Sequence, residues 1–355
     1  RHKVMLPSFK KISAVIVKGR WILFILILVI ATPAFLAQKK IEFYYTSEHY
    51  LPDTTKSAVD TKAISEKFGA TEVVYVITKN EGRIKEKELI ENIKKIEVAD
   101  KVLAISEQVD MTIPESFIPK EIYENFRGGD YQYFSVFLTT SADDKRTFAA
   151  LDTMKDYAAN LYDEYYITGR APLAKDLADL VDIDNRNVSI LSIGLILLIL
   201  IISFMSFTIP VILILIIQLA IWINLGIPYY QGIQLASITP VIINAIQLGA
   251  TVDYAILFAS RYKENLGLIG ARKEAIRQTI EDTGRSILTS ALTMFSATIG
   301  IYYITSIKAT GELTLLIGRG AIISMITIFL GLPSMLIIFD KLIGITTIKW
   351  PKHEK

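Results

Sequence analysis

The sequence predicts an α-helical membrane protein with six transmembrane helices plus an α+β, ferredoxin-like external domain inserted between helices 1 and 2. Three observations carry that prediction. Charge is segregated: residues 187–260 contain one ionisable Asp, Glu, Lys or Arg, namely Asp253, in a 355-residue chain that is 21% charged overall. Six apolar stretches are long enough to cross about 30 Å of hydrocarbon, which takes roughly 20 helical residues. Residues 39–186 run twice through the order strand, helix, strand, the pattern of two tandem βαβ units.

This segregation excludes disorder, a collagen-like repeat and a disulfide-framed miniprotein. A net charge of +2 makes no basic stripe, so no nucleic-acid partner is expected. The lack of cysteine excludes disulfides, Cys-based zinc or iron–sulfur sites and a thiol nucleophile. His2, His49 and His353 are too scattered to suggest a metal cluster. No cofactor is expected, and without a nucleophile–base pair, phosphate loop or metal motif neither is an enzyme.

Residues 1–38 hold a basic N-terminus and the first span, at 21–38. That span is read as an uncleaved anchor, because Ala34-Phe35-Leu36-Ala37 lacks a clean small-x-small cleavage site. In the inserted domain, residues 39–186, strands are expected at 72–78 and 101–106. Between them, 84–96 forms a helix with Ile84, Leu89, Ile93 and Ile96 near one face. An insert at 109–130, with Pro114, Pro119 and Gly128-Gly129, reads as a surface excursion. A strand at 131–140, a helix at 143–161 and a strand at 164–168 complete the domain.

Residues 187–260 hold spans two to four, at 187–207, 209–225 and 235–260. Residues 261–285 are expected to form an amphipathic helix on the cytoplasmic face, punctuated by Gly267, Gly270 and Gly284. Ala271, Ala275, Ile276, Thr279 and Ile280 fall on one side of it; Arg272, Lys273, Arg277 and Glu281 fall mostly on the other. Residues 286–340 hold spans five and six, at 286–307 and 313–339, and 341–355 form a tail. Residues 1–20 and 261–285 each carry six Lys or Arg, and the tail adds Lys341, Lys349, Lys352 and Lys355. The positive-inside rule therefore places both termini and the 261–285 segment in the cytoplasm and residues 39–186 outside the cell membrane.

Asp253 is the sharpest feature. It stands eight residues before Arg261, about 12 Å by helix rise, close to mid-membrane. A carboxylate there costs about 2.5–3.5 kcal/mol on insertion scales, so it faces protein or water and points to function, with a structural interhelical hydrogen bond as the competing reading. Asn244, Gln247 and Thr251, three and four apart, share a polar stripe with Tyr254 near it, and Gly249 and Ala250 permit close helix approach. Helix five offers a small, polar edge of Ser286, Thr289, Ser290, Thr293, Ser296, Ala297 and Gly300, which suits packing as well as a polar path. Arg319, between Gly318 and Gly320, is either a counter-ion for Asp253 or a residue that snorkels to the outer interface; snorkelling is the favoured reading.

Gly249-Ala-Thr-Val-Asp253-Tyr254 followed by Ser260-Arg261-Tyr262-Lys263-Glu264, in this order of anchor, external domain and five further helices, resembles one half of a resistance-nodulation-division (RND) transporter of the MMPL type. Leu51-Pro52, Phe68-Gly69, Thr168-Gly169 and Gly284-Arg285-Ser286 also fit, so the likeness covers nearly the whole chain. The resemblance implies an external porter domain and proton-coupled export of lipids or other hydrophobic solutes. By matching position it makes Asp253 the proton carrier and Tyr254 its hydrogen-bonding partner. It also implies a second RND half as partner, in the same polypeptide, of which this chain would be the C-terminal half, or in a homodimer. A non-transporting lipid module similar to sterol-sensing domains and a Sec-type accessory for protein export share the topology and remain alternatives.

Overall fold

The computed structural model describes residues 9–46, 50–69, 72–348 and 350–351. His2, His49, His353, Lys349, Lys352 and Lys355 lie outside the described residues. In chain order the elements are α1 (Lys10–Lys18), α2 (Arg20–Gln38), β1 (Phe43–Tyr44), α3 (Lys56–Phe68), β2 (Glu72–Lys79), α4 (Arg83–Ile93), β3 (Ala99–Leu103), α5 (Ile105–Gln108), α6 (Lys120–Glu124), β4 (Arg127–Gly128), β5 (Tyr131–Leu138), α7 (Lys145–Leu161), β6 (Tyr165–Gly169), α8 (Arg170–Phe204), α9 (Thr208–Gln231), β7 (Leu235–Ala236), α10 (Thr239–Ile269), α11 (Arg272–Ile304), α12 (Lys308–Ile338) and α13 (Asp340–Thr346). They divide into two compact units, one of Tyr44–Asp182 and one of the remaining described residues.

In the larger unit six helices, α2 and α8 to α12, are long and apolar enough to cross a membrane. Helices α9 and α12 are the most enclosed, while α2, α8 and α11 expose most of their apolar surface, as lipid-facing helices do. The buried centre includes Leu213, Ile217, Ile221, Ile243, Phe258, Leu332 and Leu336. Helix α8 begins at Arg170, well ahead of the apolar run at 187, because its polar first half is itself a good helix former.

The 261–285 segment is not a separate helix. Residues 261–269 complete α10, Gly270 turns the chain at φ 73°, and residues 272–285 are the first half of α11, which continues without a break to Ile304. Gly284, expected as a stop, sits inside α11 because another element needs the space. A Cβ there would lie 2.9 Å from the ring of Phe9, which stacks on Phe329 with centroids 5.6 Å apart. The apolar face Ala275, Ile276, Thr279 and Ile280 is buried as expected from the pattern, but Ala271 is exposed. Part of the cover comes from α1, whose Ser13, Ile16 and Val17 are buried and which packs against α11. Its short length hid it from a reading tuned to 20-residue spans.

The Tyr44–Asp182 unit is built on a sheet of order β3-β5-β2-β6 in which each of these neighbouring pairs is antiparallel. Alternation along β2 buries Val74, Val76 and Thr78 and exposes Tyr75 and Lys79, the two-residue period of a half-covered strand. Val74 and Val76 pair with Val136 and Phe134 of β5. Leu89, Ile90 and Ile93 of α4 and Leu151 and Met154 of α7 close the core over them. Asp144 caps α7 by accepting from the Arg146 amide at 2.8 Å. Helix α3 was not expected from the sequence; most of its side chains are exposed, so no apolar face announces it.

The 109–130 insert is more than a surface excursion. It contains a 3-10 turn at Glu115–Phe117, α6 and β4, which pairs with β5. Its Arg127 bonds the side chains of Asn80 and Gln132 and lies 3.7 Å from the fully buried Glu86. In return Arg83 donates to the carbonyls of Val109, Asp110 and Ile113. Two buried cations need acceptors, and they draw the insert onto α4. Burial pushes the Glu86 carboxyl up to about 7 against the pull of Arg127 and Arg83. An acid raised in this way stabilises the fold fully below its ordinary value and loses that contribution as pH rises through about 7. Hydrogen-exchange protection of α4 and β3 in the full chain, corrected for the intrinsic rate, is expected to fall between about pH 5 and about pH 8, and Glu86→Gln to flatten that fall.

Candidate functional site

Helix α10 has two unlike faces. Gln247, Leu248, Thr251, Tyr254, Ala255 and Phe258 are buried. Ala245, Gly249, Asp253 and Leu257, spaced four apart, are exposed. Asp253 makes no hydrogen bond or ion pair with the described residues, and it is not bonded to its neighbour Tyr254. The two are adjacent in sequence but about 100° apart around the helix. Tyr254 turns inward, where it lines a cavity of about 10 Å³ with Gln247 and Thr251.

The polar groups singled out on α10 therefore go to three places. Asn244 reaches α8, donating to Asn185 at 3.2 Å and to Ser189 at 3.5 Å. Gln247 donates to Ser324 Oγ at 3.1 Å and to the Gly320 carbonyl at 3.4 Å, and Thr251 donates to Ser324 Oγ at 2.9 Å. Asp253 stays outside this network. On α11, which packs against α10, the small, polar edge is exposed along its length: Ser286, Thr289, Ser290, Thr293, Ser296, Ala297 and Gly300. Thr293 returns its hydroxyl proton to the Thr289 carbonyl at 2.8 Å, which satisfies it without a neighbouring helix.

Arg319 is neither a counter-ion for Asp253 nor simply extended to an interface. Its Nε donates to Asn224 Oδ1 and its Nη2 to the Asn224 carbonyl, both at 2.9 Å. Asn224, fully buried on α9, donates in turn to Gln247 Oε1 at 2.8 Å and to the Leu316 carbonyl at 2.9 Å. A continuous chain, Arg319–Asn224–Gln247–Ser324–Thr251, thus ties α9, α10 and α12 together. Asp253 lies six residues beyond Gln247 on α10, about 9 Å of helix rise, and on another face.

Asn224 and Ser324 were missed in the sequence. Their signal was present: Asn224 is an isolated amide in an apolar span, and such groups are retained in membranes to bond other helices. Gly320 belongs with them, since a Cβ there would sit 2.7 Å from both Asn224 Nδ2 and Gln247 Oε1. Among the described residues no group of three or more His, Asp or Glu could hold a metal.

Asn224→Leu should leave Arg319 Nε and Gln247 Oε1 without their side-chain partner at once, while the Arg319 Nη2 bond to the backbone carbonyl of residue 224 remains, and cost about 1–3 kcal/mol. Thermal unfolding of the purified chain in detergent should show the lower midpoint, and Gly320→Ala should move it in the same direction by crowding the same atoms.

Comparison with known proteins places this arrangement. The Streptomyces coelicolor protein ActII-3, named as a membrane protein, is 27% identical over 124 residues, a match that covers 35% of this chain and 17% of that relative. The aligned part is therefore a small fraction of the relative's own length. The model of the MMPL family matches residues 49–354, from the start of the α+β unit through all the helices that follow it. With six apolar helices, five of them inside that match, and an Asp-Tyr pair on α10, the chain is a multi-pass membrane protein that belongs to the MMPL family, whose members are transporters rather than enzymes.

Proposed function

We propose that the protein takes part in proton-coupled export of lipids or other hydrophobic solutes across the cytoplasmic membrane. One observation carries this reading: a carboxylate in the middle of an apolar helix, on an exposed face, with no partner among the described residues. A charge in hydrocarbon is tolerated only against protein or water. The small residues around it, Ala245 and Gly249 on α10 and the exposed Ser, Thr, Ala and Gly edge of α11, suit the close approach of another helix. The occupant that fits is a second RND half, whether on the same polypeptide or in a second copy of this chain. Asp253 is then enclosed by that half and exchanges a proton as the two halves rock and its hydration alternates. Tyr254, on the neighbouring face, is the hydroxyl within reach once the helices shift.

In this proposal the Tyr44–Asp182 unit is the porter domain. Its strand order and antiparallel pairing are those expected of a ferredoxin-like sheet. The distribution of Lys and Arg supports both termini in the cytoplasm and this unit outside.

Reconstituted full-length protein should move fluorescent lipid analogues in liposomes only when a proton gradient is imposed. Asp253→Asn should reduce that flux to the level of empty liposomes while leaving the folded protein in the membrane. Retained gradient-driven flux in Asp253→Asn would sink the proposal. Lipid binding that ignores both the gradient and the substitution would instead favour a lipid-sensing module.

A further inference from the structure

A second site lies at the other end of the polar chain. A cavity of about 350 Å³ is walled by the last turns of α9, the end of α11 and the first half of α12. That volume falls within the range of small-molecule sites. Its charged residues are Lys308, Glu312 and Arg319, and its apolar wall includes Leu235, Tyr302 and Leu315.

Arg319 is built into this wall. Nε and Nη2 are both committed to Asn224, and Asn224 is fully buried and itself anchored to Gln247 and the Leu316 carbonyl. The planar guanidinium is therefore fixed before anything binds, with Nη1 uncommitted among the described residues. A guanidinium held in this way loses little freedom on meeting a carboxylate or phosphate, which is the condition for a strong charge-assisted bond. Lys308 is exposed, and no bond or ion pair engages it among the described residues. Glu312 is the one acid in the wall, and its carboxylate accepts from the Ala236 amide at 3.4 Å. Two cations against one acid leave the wall net positive. Along α12, Lys308 and Arg319 are about 16 Å apart, so the cavity offers a cationic mouth, an apolar length and a fixed cation at depth.

We propose that this cavity binds an amphiphile with an anionic headgroup, a carboxylate or phosphate, set on Arg319 with its apolar chain along Leu235, Tyr302 and Leu315. A small inorganic anion would leave that apolar wall uncovered. The site goes beyond the proton-coupled reading and does not depend on it, since Asp253 is on another face of another helix and binding is measured without a gradient.

The test uses the full chain in a neutral detergent, with fluorescent phosphatidylglycerol, fluorescent phosphatidylcholine and inorganic phosphate as probes. The wild type should hold phosphatidylglycerol about tenfold more tightly than phosphatidylcholine. Arg319→Gln should abolish the preference and Arg319→Lys should keep part of it. Leu315→Trp, which fills the cavity and leaves the Arg319–Asn224 bonds alone, should weaken phosphatidylglycerol binding by a similar factor and decides the matter if Arg319→Gln does not fold. Equal retention of the two lipids by the wild type would overturn the proposal, as would unchanged binding in the variants that fold. Displacement of phosphatidylglycerol by inorganic phosphate alone would make this a free-anion site and overturn the amphiphile assignment. Neither result bears on flux through Asp253, so the two proposals fail separately.

Discussion

Asn224 sits where three helices must satisfy one another's polar groups with no water to help. In hydrocarbon an unpaired amide costs several kcal/mol, so its position dictates much else. Its carboxamide oxygen and backbone carbonyl hold Arg319, and its amide nitrogen reaches Gln247 and the Leu316 carbonyl. That approach is open only because Gly320 has no side chain. Holding Gln247 and Thr251 inward also sets the rotation of α10. At 100° per residue, Asp253 falls about 200° from Thr251, on the opposite side of the helix. The exposure of Asp253 follows from the satisfaction of Gln247 and Thr251.

Two sets of polar side chains in the membrane unit thus contrast. Asn224, Gln247, Thr251 and Ser324, on the inner faces of α9, α10 and α12, form a chain that ends at Arg319 and a cavity. Those on the exposed stripes Ala245–Gly249–Asp253 of α10 and Ser286–Gly300 of α11 are short side chains, with the hydroxyl of Thr293 turned back to its own helix and one carboxyl, that of Asp253, among them. The first arrangement specifies how the helices pack. The second is a surface that lipid alone would not explain, since Ser, Thr and Gly give helices close contact in membranes rather than favourable lipid exposure.

Much of the architecture was legible because its signals are local. The apolar runs gave six spans, and the period-two pattern from Glu72 to Thr78 gave a strand that the structure extends by one residue, to Lys79. The amphipathic pattern of 271–282 located a buried face at Ala275, Ile276, Thr279 and Ile280. The same local reading erred at Gly284, which looks like a stop but serves as a seat for Phe9. It also took the 109–130 insert for a surface excursion and no more, because nothing nearby in sequence shows that Arg83 and Arg127 are buried and need what it carries.

Within the candidate site, composition and spacing alone singled out Asp253, Tyr254, Gln247, Thr251 and Arg319 as polar groups out of place in an apolar segment. What they do to each other was not in the pattern. Helical spacing put Gln247, Thr251 and Tyr254 on one face and could not say that this face points to Ser324 and Asn224. The sequence left Arg319 between pairing with Asp253 and snorkelling to the outer interface, the favoured reading, whereas its bonds go to a residue 95 positions away. A sequence by itself determines which residues cannot be left in hydrocarbon without a partner. Only the tertiary structure decides who the partner is, because the bond depends on how helices far apart in the chain are rotated and how closely a glycine lets them meet.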